Sequence, residues 1–358
     1  MSSFTALTRM IGSLVARHCG CLRPEDTSTC VCLLDGDTGR EWTELFEESR
    51  RQAVMALLYD AILTMPKDRR PPRSVLFHLM SMMQTIERDN RHREEALVAF
   101  HNEVMLPLGL PTVVVKGSSL ARLYPNPLHR EYGDNDLYTG TDTERLCRHL
   151  ESVGVAVDRK DPRHAAFSFH GTDFEAHSYL LYHGDDPQWG AVPLESGGLA
   201  IRHLPAEEEA FFLAKHIEHH AVFFNTPVRL RDLADWSMLL CSDGFDMGSF
   251  RELKRGSDVD RFAELLSMTC NSLFGLDIDC RPPQGFDADD FEAMYMHCPE
   301  RHRLALVRVV RRSWKYIRHG RKYRSIYGQS MFRRFYLRNI WVAIRNGIGN
   351  SCAGTRKR

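Results

Sequence analysis

Apolar residues in the first hundred positions recur at helical spacing. In Glu41–Thr64, the residues Leu45, Met55, Leu57, Leu58, Ala61 and Ile62 share one broad face, which predicts helix. Pro66, Pro71 and Pro72 break the pattern, and Val75–Glu103 resumes it with its charges bunched in Glu87–Glu95. The texture changes at Pro111. Thr112–Val115 is a short β-branched run of the kind a buried strand needs. Lys116 and Gly117 end it, and Ser118–Tyr124 predicts a short helix with a serine cap. Asp134–Tyr138 then predicts a second strand, and Asp142–Val153 an amphipathic helix burying Leu146, Leu150 and Val153. Gly154 ends that helix and Val155–Val157 starts another strand. Phe167–Phe169 and Asp173–His177 flank the turn His170-Gly171-Thr172 and predict a hairpin. Beyond Pro205 the pattern is helical again. Glu207, Glu208 and Glu209 occupy a first turn and His216, His219 and His220 a last, as a helix dipole favours; Val228–Cys241 is a further helix.

The expected organisation is an N-terminal segment, flexible in part (1–40), a helical lead-in (41–110), an α/β core (111–200), a helical region (201–300) and a basic helical tail (301–358). A chain of 358 residues with 43% hydrophobic positions is long and apolar enough to fold throughout. No apolar run reaches the roughly 18 residues of a spanning helix, and Met1–Val15 does not read as a secretory signal. A cytoplasmic protein is expected. Cys19, Cys21, Cys30 and Cys32 make two C-x-C pairs, a spacing unlike most zinc sites, so reduced thiols are the expected state. The net charge of zero hides an asymmetry. Of the 47 basic residues, 17 fall in 301–358 with no acidic residue among them; the other 30 face all 47 acidic residues, a net of −17 over the first 300 positions. Such segregation predicts that the tail meets something anionic, whether a partner or the protein's own acidic body.

Asp134 and Asp136 stand two apart on a predicted strand and so leave it on one face. Like charges so placed need a cation between them. Magnesium takes oxygen ligands and is often held by one or two carboxylates with substrate phosphates. Glu175 on the hairpin strand is a third acid, and three convergent acids suit a pair of metal ions. Gly117 and Ser118, where a strand opens into a helix, offer backbone N–H groups to phosphate, and Lys116 adds charge.

The run Val115–Pro125, with Asp134-x-Asp136-Leu137 and Glu175-x-His177, resembles the bacterial nucleotidyltransferases of the polymerase beta-like superfamily. In particular it resembles the branch with an LKG…LYP…R…DxDL…E-x-H signature. Arg50–Tyr59, Lys215-His216 and Arg229–Asp235 extend the likeness over most of residues 40–280. The resemblance implies an α/β (α+β) fold with a mixed sheet flanked by helices. It also implies transfer of a nucleoside monophosphate from a nucleoside triphosphate such as ATP. Asp134, Asp136 and Glu175 would bind the metal, two magnesium ions by expectation, and Lys116, Gly117 and Ser118 the nucleotide. His177, His216 and Asp235 would serve around them or in the acceptor site. Asn135 stands where the family usually has an apolar residue.

His216, His219 and His220 form an i, i+3, i+4 set that reads more readily as pocket or helix-end residues than as a metal site. Arg308–Arg324, interleaved with Trp314, Tyr316, Tyr323 and Tyr327, would suit nucleic acid or an anionic membrane surface. A solvated face or packing on the acidic body is the favoured reading. The leading expectation is a magnesium-dependent nucleotidyltransferase acting on a small-molecule or protein acceptor. The alternatives are a nucleic-acid end-modifying transferase and a non-catalytic nucleotide- or partner-binding module. Base, acceptor and oligomeric state stay open at this level.

Overall fold

The computed structural model describes residues 2–21, 39–159, 163–181, 189–193, 201–222, 226–257, 259–296 and 318–327. The chain divides into two compact units. The first comprises Met1–Leu213, Arg229–Leu253 and Cys270–Ile278, and the second Ala214–Val228, Lys254–Thr269 and Asp279–Arg358.

In the first unit, α1 (Ser3–His18), α2 (Gly39–Arg51), α3 (Met55–Thr64) and α4 (Arg73–Phe100) precede the sheet. The sheet and its connecting helices run β1 (Thr112–Val115), α5 (Gly117–Ala121), β2 (Asn135–Tyr138), α6 (Thr143–Ser152), β3 (Val157–Asp158), β4 (His164–Phe169), β5 (Thr172–His177), β6 (Val192–Pro193) and β7 (Ile201–His203). Seven strands lie in the order β3-β4-β5-β2-β1-β7-β6. β1 runs antiparallel to β2 and parallel to β7, and β2 runs parallel to β5, so the sheet is mixed, as the family resemblance implies.

Alternation along each strand sorts the side chains onto two faces. Val114, Leu137, Phe167, Phe174 and Ala176 pack against Leu97 and Phe100 of α4 and Leu146 and Leu150 of α6. The Phe100 ring centres this layer, 5.3 Å from Phe167 and 4.8 Å from Phe174. On the opposite face Val113 and Val115 meet Leu180, Leu204 and Phe212.

Several local expectations shift. The apolar face in Glu41–Thr64 belongs to two helices, because Ala53 takes φ 53° between α2 and α3. Neither glycine nor proline marks that break; tertiary contacts hold it. Gln52 accepts the Leu230 N–H on its side-chain oxygen at 3.0 Å, and the Glu131 carboxylate accepts the Met55 N–H at 2.6 Å, which caps α3. Ser118 is not the cap of the short helix. α5 begins at Gly117 with Lys116 in the cap position, and no side chain caps it. Val153, expected inside, is 60% exposed, because α6 stops at Ser152 and Gly154 turns the chain at φ 86°. The hairpin forms as expected around His170 and Gly171, both at positive φ as a tight turn of this hand requires. The N-terminal segment, expected to be flexible in part, carries α1, which buries Leu7, Ile11 and Val15; Cys30 and Cys32 lie outside the described residues.

α7 (Ala206–Val222), α8 (Leu230–Leu240), α9 (Met247–Lys254), α10 (Asp260–Phe274) and α11 (Ala288–Phe291) complete the elements. The second unit is built on aromatic packing. The Tyr295 ring sits 5.3 Å from Phe262 and 4.9 Å from Phe291. Of the basic tail, residues 318–327 are described. Tyr323, Ile326 and Tyr327 are buried there, Tyr327 shares a hydroxyl hydrogen bond with Tyr295 at 3.2 Å, and Lys322 ion-pairs with Asp290. The rest of the tail lies outside the described residues. Among the described residues no helix is long and apolar enough to cross a membrane.

Candidate functional site

Strand register assembles the site. Asp136 lies opposite Val115 on β1 and opposite Glu175 on β5, and Tyr138 lies opposite His177. Since Leu137, Phe174 and Ala176 face the α4 layer, Asp136, Glu175 and His177 share the other face. The His177 Nε2 is 2.9 Å from Asp136 Oδ1 and 3.6 Å from Glu175 Oε2. A ligand atom from each of these three residues lies within 4.8 Å of the others. Asp134 sits one residue ahead of β2 and outside that group. His164, opposite His177 on β4, brings its Nε2 to 3.5 Å from Glu175 Oε1; no motif drew attention to it.

Lys116 supplies the balancing charge. Its ammonium lies 2.8 Å from Asp136 Oδ1 and over the Phe212 ring at 5.9 Å. To put it there the backbone adopts φ 54°, ψ −128°, a conformation that costs a non-glycine residue about 1–3 kcal/mol and that clusters at functional sites. Gly117 follows at φ 21°, where a Cβ would stand 3.3 Å from the Asp134 carbonyl oxygen and 3.4 Å from the Tyr132 ring. Glycine is therefore needed for the close approach of this turn to the D-x-D segment.

The three carboxyls are held at different proton affinities. Burial pushes Asp136 up, but the Lys116 ammonium and the His177 hydrogen bond outweigh it and hold Asp136 at about 2. Burial, followed by the Asp136 charge, drives Glu175 up to about 7. Burial and Asp136 also raise Asp134. Burial would lower Lys116, yet the facing acids Asp136, Asp134 and Glu175 raise it overall. One ammonium thus neutralises one of three acids, leaving a site that favours further positive charge.

A second network supports the turn. The buried Arg130 guanidinium donates to both carboxylate oxygens of Asp235 at 2.8 Å and to the Gly117 carbonyl at 3.1 Å. The Tyr124 hydroxyl donates to Asp235 at 2.6 Å. Asp235 therefore acts on the turn through Arg130 and is not among the clustered acids. Arg130 was not singled out in the sequence; its one signal is the arginine between LYP and DxDL in the family signature. Asn135, the departure from that signature, is buried and donates to the Arg93 carbonyl of α4 at 3.2 Å, which explains a polar residue there. Ser118 lines a cavity of about 690 Å³ with Arg91, Glu94, Asn102 and Arg122, and none of the three clustered side chains lines it. His216 lies in the second unit, its ring 4.3 Å from that of His220.

The donor set tests the metal expectation. Two carboxylates and an imidazole converge, and one cation is already drawn to the most buried of the acids, so a divalent ion fits these residues. A mixed sheet carrying such a group beside a strand–glycine–helix turn is consistent with a nucleotidyltransferase domain. A profile of the family described as "Uncharacterised nucleotidyltransferase" matches residues 38–275, and the chain belongs to that family. No curated protein and no solved structure matches it.

Proposed function

We propose that this protein is a magnesium-dependent nucleotidyltransferase that moves a nucleoside monophosphate from a nucleoside triphosphate to a small-molecule or protein acceptor. The observation that carries the reading is the register Asp136↔Glu175 with His177 alongside, on the face that Lys116 enters. Asp134, Asp136 and Glu175 would hold the metal, two ions by this proposal, with Asp134 joining from the segment just ahead of β2 and His177 orienting the Asp136 carboxylate or adding its imidazole as a ligand. The bound metal supplies electrophilic stabilisation of charge developing on the triphosphate.

The chain's own groups do the remaining work. Lys116, Gly117 and Ser118 bind the triphosphate, and the Arg130–Asp235 pair keeps the Gly117 turn in place. Glu175 is a ligand of the second metal or the base that takes the proton of the acceptor hydroxyl as that oxygen attacks the α-phosphorus and pyrophosphate leaves. Catalysis of this type is mainly positioning and electrostatics.

The test is turnover of the four nucleoside triphosphates with and without magnesium, in wild type and in Asp134→Ala/Asp136→Ala. Pyrophosphate release, or label passed to a cell-extract component, that needs magnesium and vanishes in the variant is expected. Nucleotide binding indifferent to magnesium and unchanged in the variant would sink the proposal in favour of a binding module.

A further inference from the structure

The first C-x-C pair meets a third thiol in the fold. α1 ends at His18, and Cys19 and Cys21 follow it to the C-terminal end of α8, where Cys241 is the capping residue. The Ser237 carbonyl marks the meeting point. It accepts the Cys241 N–H at 3.0 Å and the Cys19 thiol at 3.9 Å. The Cys21 thiol turns back to the Cys19 carbonyl at 3.5 Å. The shared Ser237 carbonyl thus brings the Cys19 thiol to the residue that caps α8, Cys241 interacts with both members of the C-x-C pair, and all three residues belong to the first unit. Cys21 is exposed and Cys19 and Cys241 are half-buried, so a small oxidant can reach them.

We propose that Cys241, Cys19 and Cys21 form a redox-active thiol site, in which peroxide drives a reversible disulfide between Cys241 and the C-x-C pair. A metal cage is the poorer reading. Among the described residues, the group of three possible ligands that comes within 4.8 Å is Asp136, Glu175 and His177, not the thiols. The roles within the site differ. Hydrogen bonds from Cys19 and Cys21 hold the Cys241 thiol below its ordinary value, whereas Cys19 is held above its own by the bond to Cys241 and by burial. Cys241 is assigned the nucleophile's part because both thiols of the C-x-C pair interact with it, so that its sulfenic acid has a resolving thiol at hand.

The Cys241 thiolate attacks one oxygen of hydrogen peroxide. The O–O bond breaks, hydroxide leaves, and Cys241 becomes a sulfenic acid. The sulfur of Cys19 or Cys21 then attacks the Cys241 sulfur. Its proton goes to the departing hydroxide, which leaves as water. Two thiols and one peroxide give one disulfide and two waters, with two electrons passing from sulfur to oxygen. The bond joins the end of α1 to the end of α8, the helix that carries Asp235, and constrains the unfolded chain over a long loop.

The experiment treats the reduced full-length protein with hydrogen peroxide, blocks residual thiols, and maps the digest by mass spectrometry. A cross-linked peptide joining Cys241 to Cys19 or Cys21 is expected at peroxide levels that leave Cys280 alkylatable, with reversal by dithiothreitol. Tm is expected to rise on oxidation in wild type and not in C241S. The double variant C19S/C21S, altered just past α1, gives the same comparison if C241S folds poorly. Disulfides that omit Cys241, its conversion to sulfinic acid alone, or stoichiometric zinc held by these thiols would overturn the proposal.

Discussion

At the residue scale, Lys116 and Asp136 illustrate how a buried charge is tolerated. Their side chains are 15% and 3% exposed, so neither is solvated well enough to stand alone. Replacing Asp136 with Asn removes the acid that contacts the ammonium directly, leaving Asp134 and Glu175 as weaker counter-charges, and is expected to destabilise the metal-free protein by about 3 kcal/mol. The double variant Lys116→Met/Asp136→Asn should recover part of that loss, which urea unfolding of the four proteins in a double-mutant cycle would measure. Full additivity would show that the pair is not coupled. Glu209 gives the pH prediction. Burial, opposed by Ser119 and Arg122, raises its carboxyl from 4.5 to about 7. The folded state therefore holds a proton that the unfolded chain releases between those values. Stability from this group is fully present below pH 4.5 and is lost as pH rises to 7, on the order of 3 kcal/mol in total. Glu209→Gln should flatten the dependence of unfolding free energy on pH in that window. An unchanged slope would assign it to other groups.

At the element scale, the junctions hold most of the structure's departures from simple pattern. Ala53 at φ 53° separates α2 from α3, with the Gln52 carbonyl accepting the Arg231 N–H just past α2 and the Glu131 carboxylate accepting the Met55 N–H at the start of α3. Ala53→Gly should relieve the left-handed strain and raise stability by roughly 1 kcal/mol, read as a shift in denaturation midpoint at constant slope. A loss of stability would mean that the alanine methyl matters more than the backbone. The turn at Lys116-Gly117 is the functional counterpart, strained where the chain must present both an ammonium and a glycine to the D-x-D segment. These strands and helices were legible because β-branched runs and apolar faces are local signals. The breaks were not, since the groups that stabilise them lie far along the chain.

At the scale of the whole molecule, charge segregation set the tail apart, and its described part turns out to be packed. Tyr323, Ile326 and Tyr327 are buried in the second unit, and Lys322 pairs with Asp290. Deleting residues 301–358 should therefore expose aromatic core and lower Tm or solubility, whereas ending the chain after Tyr327 should leave these contacts intact. Circular dichroism melts of the two truncations would separate the cases. Equal stability of both would show that residues 318–327 contribute little. A test of salt-dependent RNA binding by the tail then calls for charge substitution at Arg308, Arg311 and Arg312 in the full chain, so that lost binding is not confused with lost folding.

The sequence by itself determined the strands that carry Asp136 and Glu175, the hairpin, the glycine of the turn and the family resemblance. Each is written in local pattern, spacing or motif. Only the tertiary structure decided that Asp136 faces Glu175 and His177 across parallel strands. It alone brought Lys116 to Asp136, tied Asp235 to the turn through Arg130, and set Cys241 beside Cys19. Those pairings join residues distant in the chain, and strand register and helix packing, which set them, depend on the whole fold at once.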